Sequence, residues 1–359
     1  MNRTKTIILT RKIQVFIDSD DKEKRVAYFK KLLEWQDIVF RGANLVLTHQ
    51  YIQENLKDLI YLKTDIKTKL TNDEKDDEGI LITSRINTTY LLLSSYFKDQ
   101  VPSDILFQVN TTLIKNFQTD RLAYWKGQRS LRNYKKDMPI PFSAKAIQLR
   151  NGRNGLDFKF DLFKIPFRTY LGKDHSDKRV LLQRTLVGQI KVCASSIKII
   201  KNKIFLLLSL ELPQEDHILK GHITAEASLS LEHPISVLVN KDRYQIGTKE
   251  EFLYRLMAIQ AARHRLQKAS HYNKGGNGRK RKLKSLEHYN EKEKNYVDSR
   301  LHLYSRRLID ICVKSQAGTL LLVNEYNKDE FLLRNWSYYG LIEKIKYKAK
   351  MAGIQVVIK

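Results

Sequence analysis

Cysteine is nearly absent from this chain: there are two in 359 residues, Cys193 and Cys312. Neither has a second cysteine or a histidine nearby at ligand spacing, so a disulfide framework and a zinc knuckle built on cysteine pairs are both excluded. Both read as small core residues in a reducing compartment. Long apolar runs are missing too. No stretch approaches the roughly 18 residues of a membrane-spanning helix. The opening MNRTKTIILTRKIQVFI has no apolar h-region and no small-residue cleavage site, so a strand is expected there rather than a leader. Acids are scarce as well. Asp and Glu number 39 against 65 Lys and Arg, a formal charge of +26. Such an excess calls for a polyanionic partner, of which nucleic acid is the commonest. A cytoplasmic, nucleoid-associated protein is the expectation.

The length suits two or three domains. Thr6 to Ile17 alternates and is rich in Ile, Val and Thr, which predicts a strand. From Lys22 the period becomes helical, with Val26, Phe29, Leu32, Leu33, Val39 and Phe40 recurring. The pattern runs to Leu62, pauses at the acidic turn Asn72 to Gly79, and resumes from Ile82 to Phe97. Pro102 and Ser103 open another helix. After Met138-Pro139-Ile140-Pro141-Phe142 the period turns to two. Strands are predicted at 157–160, 165–168, 190–192, 197–199 and 205–208. Turns are expected at Gly152, Asn154-Gly155, Gly172-Lys173-Asp174 and Lys201-Asn202-Lys203. Short strands at this spacing suggest a barrel. If the first strand returns to it, the helices form an insertion. From Pro213 an α/β layout is expected: two strands over 223–239 joined near His233-Pro234, basic helix over 250–314, a buried strand at 320–323, a helix over 338–351 ended by Gly353, and a last strand over 354–358.

The positive charge is clustered. Arg255, Arg263, His264, Arg265, Lys268, Lys274, Arg279, Lys280, Arg281, Lys282 and Lys284 surround Gly275-Gly276-Asn277-Gly278, which is expected to be a mobile turn. Two basic helices flanking such a turn can lie along a phosphate backbone. A second cluster, Lys126, Arg129, Arg132, Tyr134, Lys135 and Lys136, mixes aromatic and cationic side chains, which suits backbone tracking and base stacking. Arg168, Lys191, Arg300, Arg306, Arg307, Lys346 and Lys348 complete the candidate contacts. The bland alternative is a solvated helix face, but the acids that would offset it are thin. Contacts of this kind read phosphate and shape, not base sequence. No helix-turn-helix, finger or RNP motif is recognisable.

Several segments carry a resemblance. Leu229 to Val237 resembles the first RuvC strand-turn-strand of TnpB proteins and type V CRISPR effectors. Lys294 to Asp298, with His302, Ser305, Arg306, Leu308 and Ile309, resembles the helix before their second RuvC motif. Trp336 to Tyr339, Leu341 and Lys346 to Ala349, with Gly353 to Val356, is similar to their next helix and strand. Leu131 to Tyr134 and Met138 to Pro141 resemble the entry to their wedge barrel. The order is right over most of the chain.

The resemblance implies an α+β multidomain fold. A wedge, oligonucleotide-binding-like β-barrel would take residues 1–20 and 126–215. A helical recognition domain over 21–125 would be inserted in it. A RuvC, RNase H-like α/β domain would occupy 216–359. It also implies a guide RNA as partner, and double-stranded target DNA beside a short motif that the protein reads. Arg41, Asn44, Arg85 and Asn87 on the recognition helices are the candidates for reading that motif.

RuvC chemistry needs carboxylates around two divalent cations. By the resemblance, Ser228 stands at the first Asp place and Asn324 at the Glu place. Glu226 shares a face with Ser228, and a one-residue slip would restore Glu325. The sequence stops before the family's zinc segment and third carboxylate. The expectation is therefore a nuclease-dead, TldR-type protein with no catalytic residues, no bound metal and no zinc. It would repress transcription by occupying a promoter and excluding RNA polymerase. The alternatives are a residual metal-dependent nuclease acting on DNA or on its own guide RNA, and an adaptor recruiting a transposition partner.

Overall fold

The structure is a computed structural model, and it describes residues 6–60, 85–152, 157–172, 177–214, 217–229, 232–272, 275–323 and 338–359, without the side chains of 57–60, 85 and 279. The acidic turn at 72–79 and the turn residues Asn154, Gly155, Lys173 and Asp174 lie outside the described residues. The chain divides into two compact units, one of Ile8–Leu212 and one of Pro213–Lys359 with the first seven residues.

The first unit is built on β1 (Thr6–Ile17), whose inward positions Leu9, Ile13 and Val15 are buried by the expected alternation. Three helices follow: α1 (Lys22–Ile60), α2 (Arg85–Phe97) and α3 (Ser103–Trp125). The chain then returns as β2 (Ile140–Phe142), a short 3-10 turn, β3 (Gln148–Asn151), β4 (Phe158–Leu162), β5 (Ile165–Tyr170), helix α4 (Lys178–Leu186), β6 (Lys191–Val192), β7 (Ser195–Ile200) and β8 (Lys203–Pro213). The sheet order is β2-β7-β8-β1-β5-β4-β3, with β6 on β8. The first strand therefore sits mid-sheet, in register with β5 from Gln14↔Tyr170 to Ile17↔Phe167, and α1 to α3 are inserted between it and the other strands.

The barrel expected from strand spacing is not closed. Among the described residues the ladder is an open path whose ends are β2 and β3. Spacing and alternation specify strands with one buried face; closure depends on pairing between the end strands, which alternation does not encode. The predicted Lys201-Asn202 turn holds two residues at positive φ, 47° and 63°. That is the geometry whose twist matches a two-residue hairpin. A single core joins sheet and helices, from Trp35, Ile38 and Val39 on α1 to Phe158, Phe160 and Phe167 on the strands.

The second unit holds β9 (Lys220–Ser228), β10 (Ile235–Val239), β11 (Asp242–Ile246), α5 (Lys249–His271), α6 (Gly276–Lys314), β12 (Ala317–Val323), α7 (Tyr338–Ala352) and β13 (Gln355–Ile358). Sheet order is β11-β10-β9-β12-β13, antiparallel across the first three strands and parallel across the last three. Its core gathers Ala225, Ala227 and Leu320 with Phe252, Tyr304, Leu308 and Ile345 from the helices. Gly247, at φ +75°, turns the chain from β11 toward α5. A Cβ there would meet the Tyr304 ring at 2.7 Å, so this position needs glycine for both conformation and space. Among the described residues no helix is long and apolar enough to cross a membrane.

Candidate nucleic-acid interface

In the second unit, α5 starts at an N-cap Thr248, whose hydroxyl accepts from the Glu251 N–H at 3.2 Å. Glu250 and Glu251 in the first turn complement the helix dipole. The helix runs antiparallel to α6. Four ties set the pairing: Arg300 to Glu251, Gln260 Nε2 to Glu293 Oε1 at 2.9 Å, Arg263 Nη1 to Glu293 Oε2 at 2.5 Å, and Lys282 Nζ to the Ala269 carbonyl at 3.1 Å. Tyr296 lies between the guanidinium groups of Arg255 and Arg300, each 5.5 Å from its ring centre. Arg263, Arg300 and Lys282, expected to face phosphate, thus hold the hairpin together.

The predicted mobile turn is shorter than expected, because α6 already begins at Gly276. Backbone helix geometry extends through Asn277 and Gly278, with Gly275 as the residue that precedes it. Lys274 lies outside the described residues, as does the Arg279 side chain.

The remaining cations are exposed at this end of the hairpin: Arg265, Lys268, Lys280, Arg281 and Lys284. Two aromatic residues share the exposure, Tyr254 and Tyr272, both at 83%. They are 18 residues apart, about five helical turns, so they fall on one face with Arg265 and Lys268 between them. A stripe of aromatic, basic, basic, aromatic side chains about 27 Å long has the chemistry that suits base stacking and phosphate tracking. Sequence reasoning missed both tyrosines, although their 18-residue spacing was there to be read.

Elsewhere in this unit, Arg306 pairs with Asp310 at 3.0 Å and Lys346 with Glu343 at 3.7 Å, while Arg307 is exposed. Lys348 is half-buried, and its Nζ donates to the Ser305 hydroxyl at 2.9 Å and to the His302 carbonyl. Burial first, then Arg306 and Lys344, pulls its amine down to about 8.

In the first unit the second basic cluster is largely structural. Asp120 is buried on α3 and receives Arg129 Nη1 at 2.7 Å, Arg132 Nε at 2.5 Å and the Tyr124 hydroxyl at 3.2 Å. The bond from Arg132, foremost, holds its carboxyl below the usual range against the opposing effect of burial. Asn44 makes a two-way bridge: its Nδ2 donates to the Tyr134 carbonyl at 3.2 Å and its Oδ1 accepts from the Tyr134 N–H at 3.0 Å. Its polar atoms are thereby committed to the fold. Arg41 lies over the Phe97 ring at 4.9 Å and 3.9 Å from Asp37, which also pairs with Lys136 at 3.4 Å. Arg168 lies beside Asp157 and Asp18, and Lys191 beside Glu211, all as surface pairs. Lys126, Lys135 and Asn87 are exposed. The Arg85 side chain lies outside the described residues.

At the end of β9, Ser228 is level with Ser236 on β10 and Val323 on β12. Glu226, two residues earlier and exposed, is level with Leu238 and Leu321. Two divalent cations need several anionic oxygens. Among the described residues these level positions offer one carboxylate and two hydroxyls. Asn324 and Glu325 lie outside the described residues. Among the described residues no three His, Cys, Asp or Glu side chains gather as a metal-binding group.

No family model matches the chain. It is 27% identical over 264 residues to the CRISPR-associated endodeoxyribonuclease Cas12f1 of Sulfoacidibacillus thermotolerans, covering 67% of this chain and 62% of the relative. A shorter match of 87 residues, at 42% identity, relates 23% of the chain to 17% of Cas12f1 from Syntrophomonas palmitatica. The chain thus spans less than two thirds of the length of these curated relatives. Among solved structures, Cas12f1 in a complex with sgRNA and target DNA superposes with a TM-score of 0.71 at 16% identity, over 98% of this chain and 89% of that one. In sequence the chain is similar to Cas12f1 endodeoxyribonucleases, and it has the fold of one of them.

Proposed function

We propose that this chain is a guide-RNA-directed DNA-binding protein that occupies its target without cutting it and represses transcription from a promoter by excluding RNA polymerase. The observation that carries the reading is the pairing of an exposed Tyr254–Arg265–Lys268–Tyr272 stripe with a strand end whose first-carboxylate place is Ser228. The stripe suits a nucleic-acid strand. Beside Ser228, the strand partners Ser236 and Val323 add no carboxylate. The similarity to Cas12f1 supports guide RNA and target DNA as partners. The mixed sheet order of the second unit supports reading 216–359 as RuvC-like. The mid-sheet position of β1 supports reading 21–125 as a helical recognition domain inserted between residues 1–20 and 126–215. The reading places the protein in the cytoplasm and requires neither zinc nor a catalytic metal.

Sequencing of RNA and DNA co-purified with the tagged chain from its host tests this. The expected result is one discrete RNA, with intact DNA enriched at a site matching its end. Diffuse DNA and no discrete RNA would overturn guided binding. A residual nuclease would draw on Glu226, an exposed carboxylate two residues before Ser228, together with Glu325, which lies outside the described residues. Magnesium-dependent cleavage of the matched target that E226Q abolishes would establish it in place of the non-cleaving reading.

A further inference from the structure

A small cavity of about 220 Å³ lies in the second unit, lined by His217, Arg306, Asp310, Lys314, Lys348 and Met351 among others. Arg306, Asp310 and Lys314 are spaced by four along α6 and share a face. Ile309 and Val313 from the same helix, with Met351 and Ala352 from α7, give the cavity an apolar floor. We propose that this cavity is a phosphate-binding site, with the Lys348 ammonium and the Arg306 guanidinium as its principal donors and Lys314 at its rim.

Three observations carry it. The first is charge. Three cations converge here with one carboxylate, and that carboxylate is already engaged by Arg306 at 3.0 Å. The second is preorganisation. Lys348 is held by Ser305, whose own hydroxyl is buried and donates to the Leu301 carbonyl at 2.6 Å. Two of the three N–H bonds of the ammonium are directed to the Ser305 hydroxyl and the His302 carbonyl, which fixes the side chain where it lines the cavity. The third is desolvation. A half-buried cation on an apolar floor, with like charges beside it, is unfavourable until an anion arrives. The groups facing it are His302, Arg306, Asp310 and Lys314 on α6, Lys344 on α7, and His217 before β9. Burial and the neighbouring Arg306 and Lys344 lower its amine to about 8, with Asp310 alone opposing. A bound phosphate would reverse that balance. At about 30 Å³ per water, the cavity has room for a phosphate with its hydration.

This inference does not depend on guided DNA binding, because its probe is inorganic phosphate. The full-length chain is titrated with phosphate by calorimetry, and the Lys348 amine is followed by NMR of the reductively methylated protein. Saturable binding is expected, with the Lys348 midpoint rising by about one unit as its charged form is favoured. K348M should weaken binding at least tenfold. R306Q, at an exposed position that leaves the core intact, should weaken it severalfold. No saturable binding to the parent chain, or unchanged binding by folded K348M and R306Q, would overturn the site. Competition identifies the source of the phosphate. Displacement by a 5′-phosphorylated but not an unphosphorylated ribo-oligonucleotide means a strand terminus. Displacement by both means a strand backbone, and displacement by neither means a free phosphate.

Discussion

Asn44 and Asp120 illustrate what a linear sequence hides at the residue scale. An asparagine on a helix beside Arg41 invites a reading as a base reader. Its amide instead spans 90 residues to mimic a strand pairing with Tyr134. Asn44→Ala should therefore cost about 1–3 kcal/mol, the penalty for stranding a partly buried backbone donor and acceptor. Thermal denaturation checks this, and motif preference should not change. Asp120 draws in two arginines that composition assigns to phosphate. Its folded carboxyl is depressed, so its contribution is present above the ordinary carboxylate value of 3.8 and is lost as pH falls through the depressed folded value. The D120N variant lacks that step, so its stability should fall less steeply than the parent's as pH drops below 3.8, which denaturant unfolding over a pH series checks. The Lys348 amine is depressed too, so its linkage has the same sign in a higher pH window. Its amine titrates at about 8 in the folded chain against 10.5 ordinarily. Between those values the unfolded chain binds more protons, so stability rises with pH across that window. K348M should flatten the rise.

Among the elements, the α5–α6 hairpin divides its cations by role. Arg263 and Arg300 are matched to Glu293 and Glu251, 30 and 49 residues away, which no local charge count reveals. Lys280, Arg281 and Lys284 are exposed. Changing these three to glutamine should lower the slope of log affinity against log salt by roughly 2 to 3, measured by fluorescence anisotropy over a salt series. An unchanged slope would remove them from the interface. Most elements were legible because their periods are strong: β1, α3, β8, α7 and the turn at Lys201-Asn202 follow from alternation, helical recurrence and turn chemistry. Two were not. The strand β11, Asp-Arg-Tyr-Gln-Ile, is mostly polar, and only its pairing with β10 identifies it. The helix α4 has four charged or amide side chains in nine residues and buries only Leu181 and Leu182.

Among the described residues the molecule has two large hydrophobic cores with no residue in common, and a small third cluster of Leu47, Phe117 and Tyr124. The layered α+β plan and the inserted helices could be inferred, since alternation switches to helical period and back. Closure of the first sheet could not, because it depends on pairing between distant strands. The strand end at Ser228 was legible from the resemblance, but its surroundings came only from register. They supply a prediction at this scale. S228D should not confer magnesium-dependent cleavage, because the level positions on both neighbouring strands remain Ser236 and Val323. Cleavage by that variant in a guided assay would overturn this reading of the site.

One property of the hairpin reaches further. Among the described residues none between Leu256 and Tyr296 belongs to the core of the second sheet. The outer part of α5 and α6 is held by the ties between the two helices rather than by that core. A change of seven residues in both helices, about two turns each, would move its tip by roughly 10 Å while leaving side-chain faces nearly aligned. Reach is therefore a trait that can diverge independently of the fold. Paired insertions or deletions at one place would change how far the hairpin extends and leave the sheet untouched.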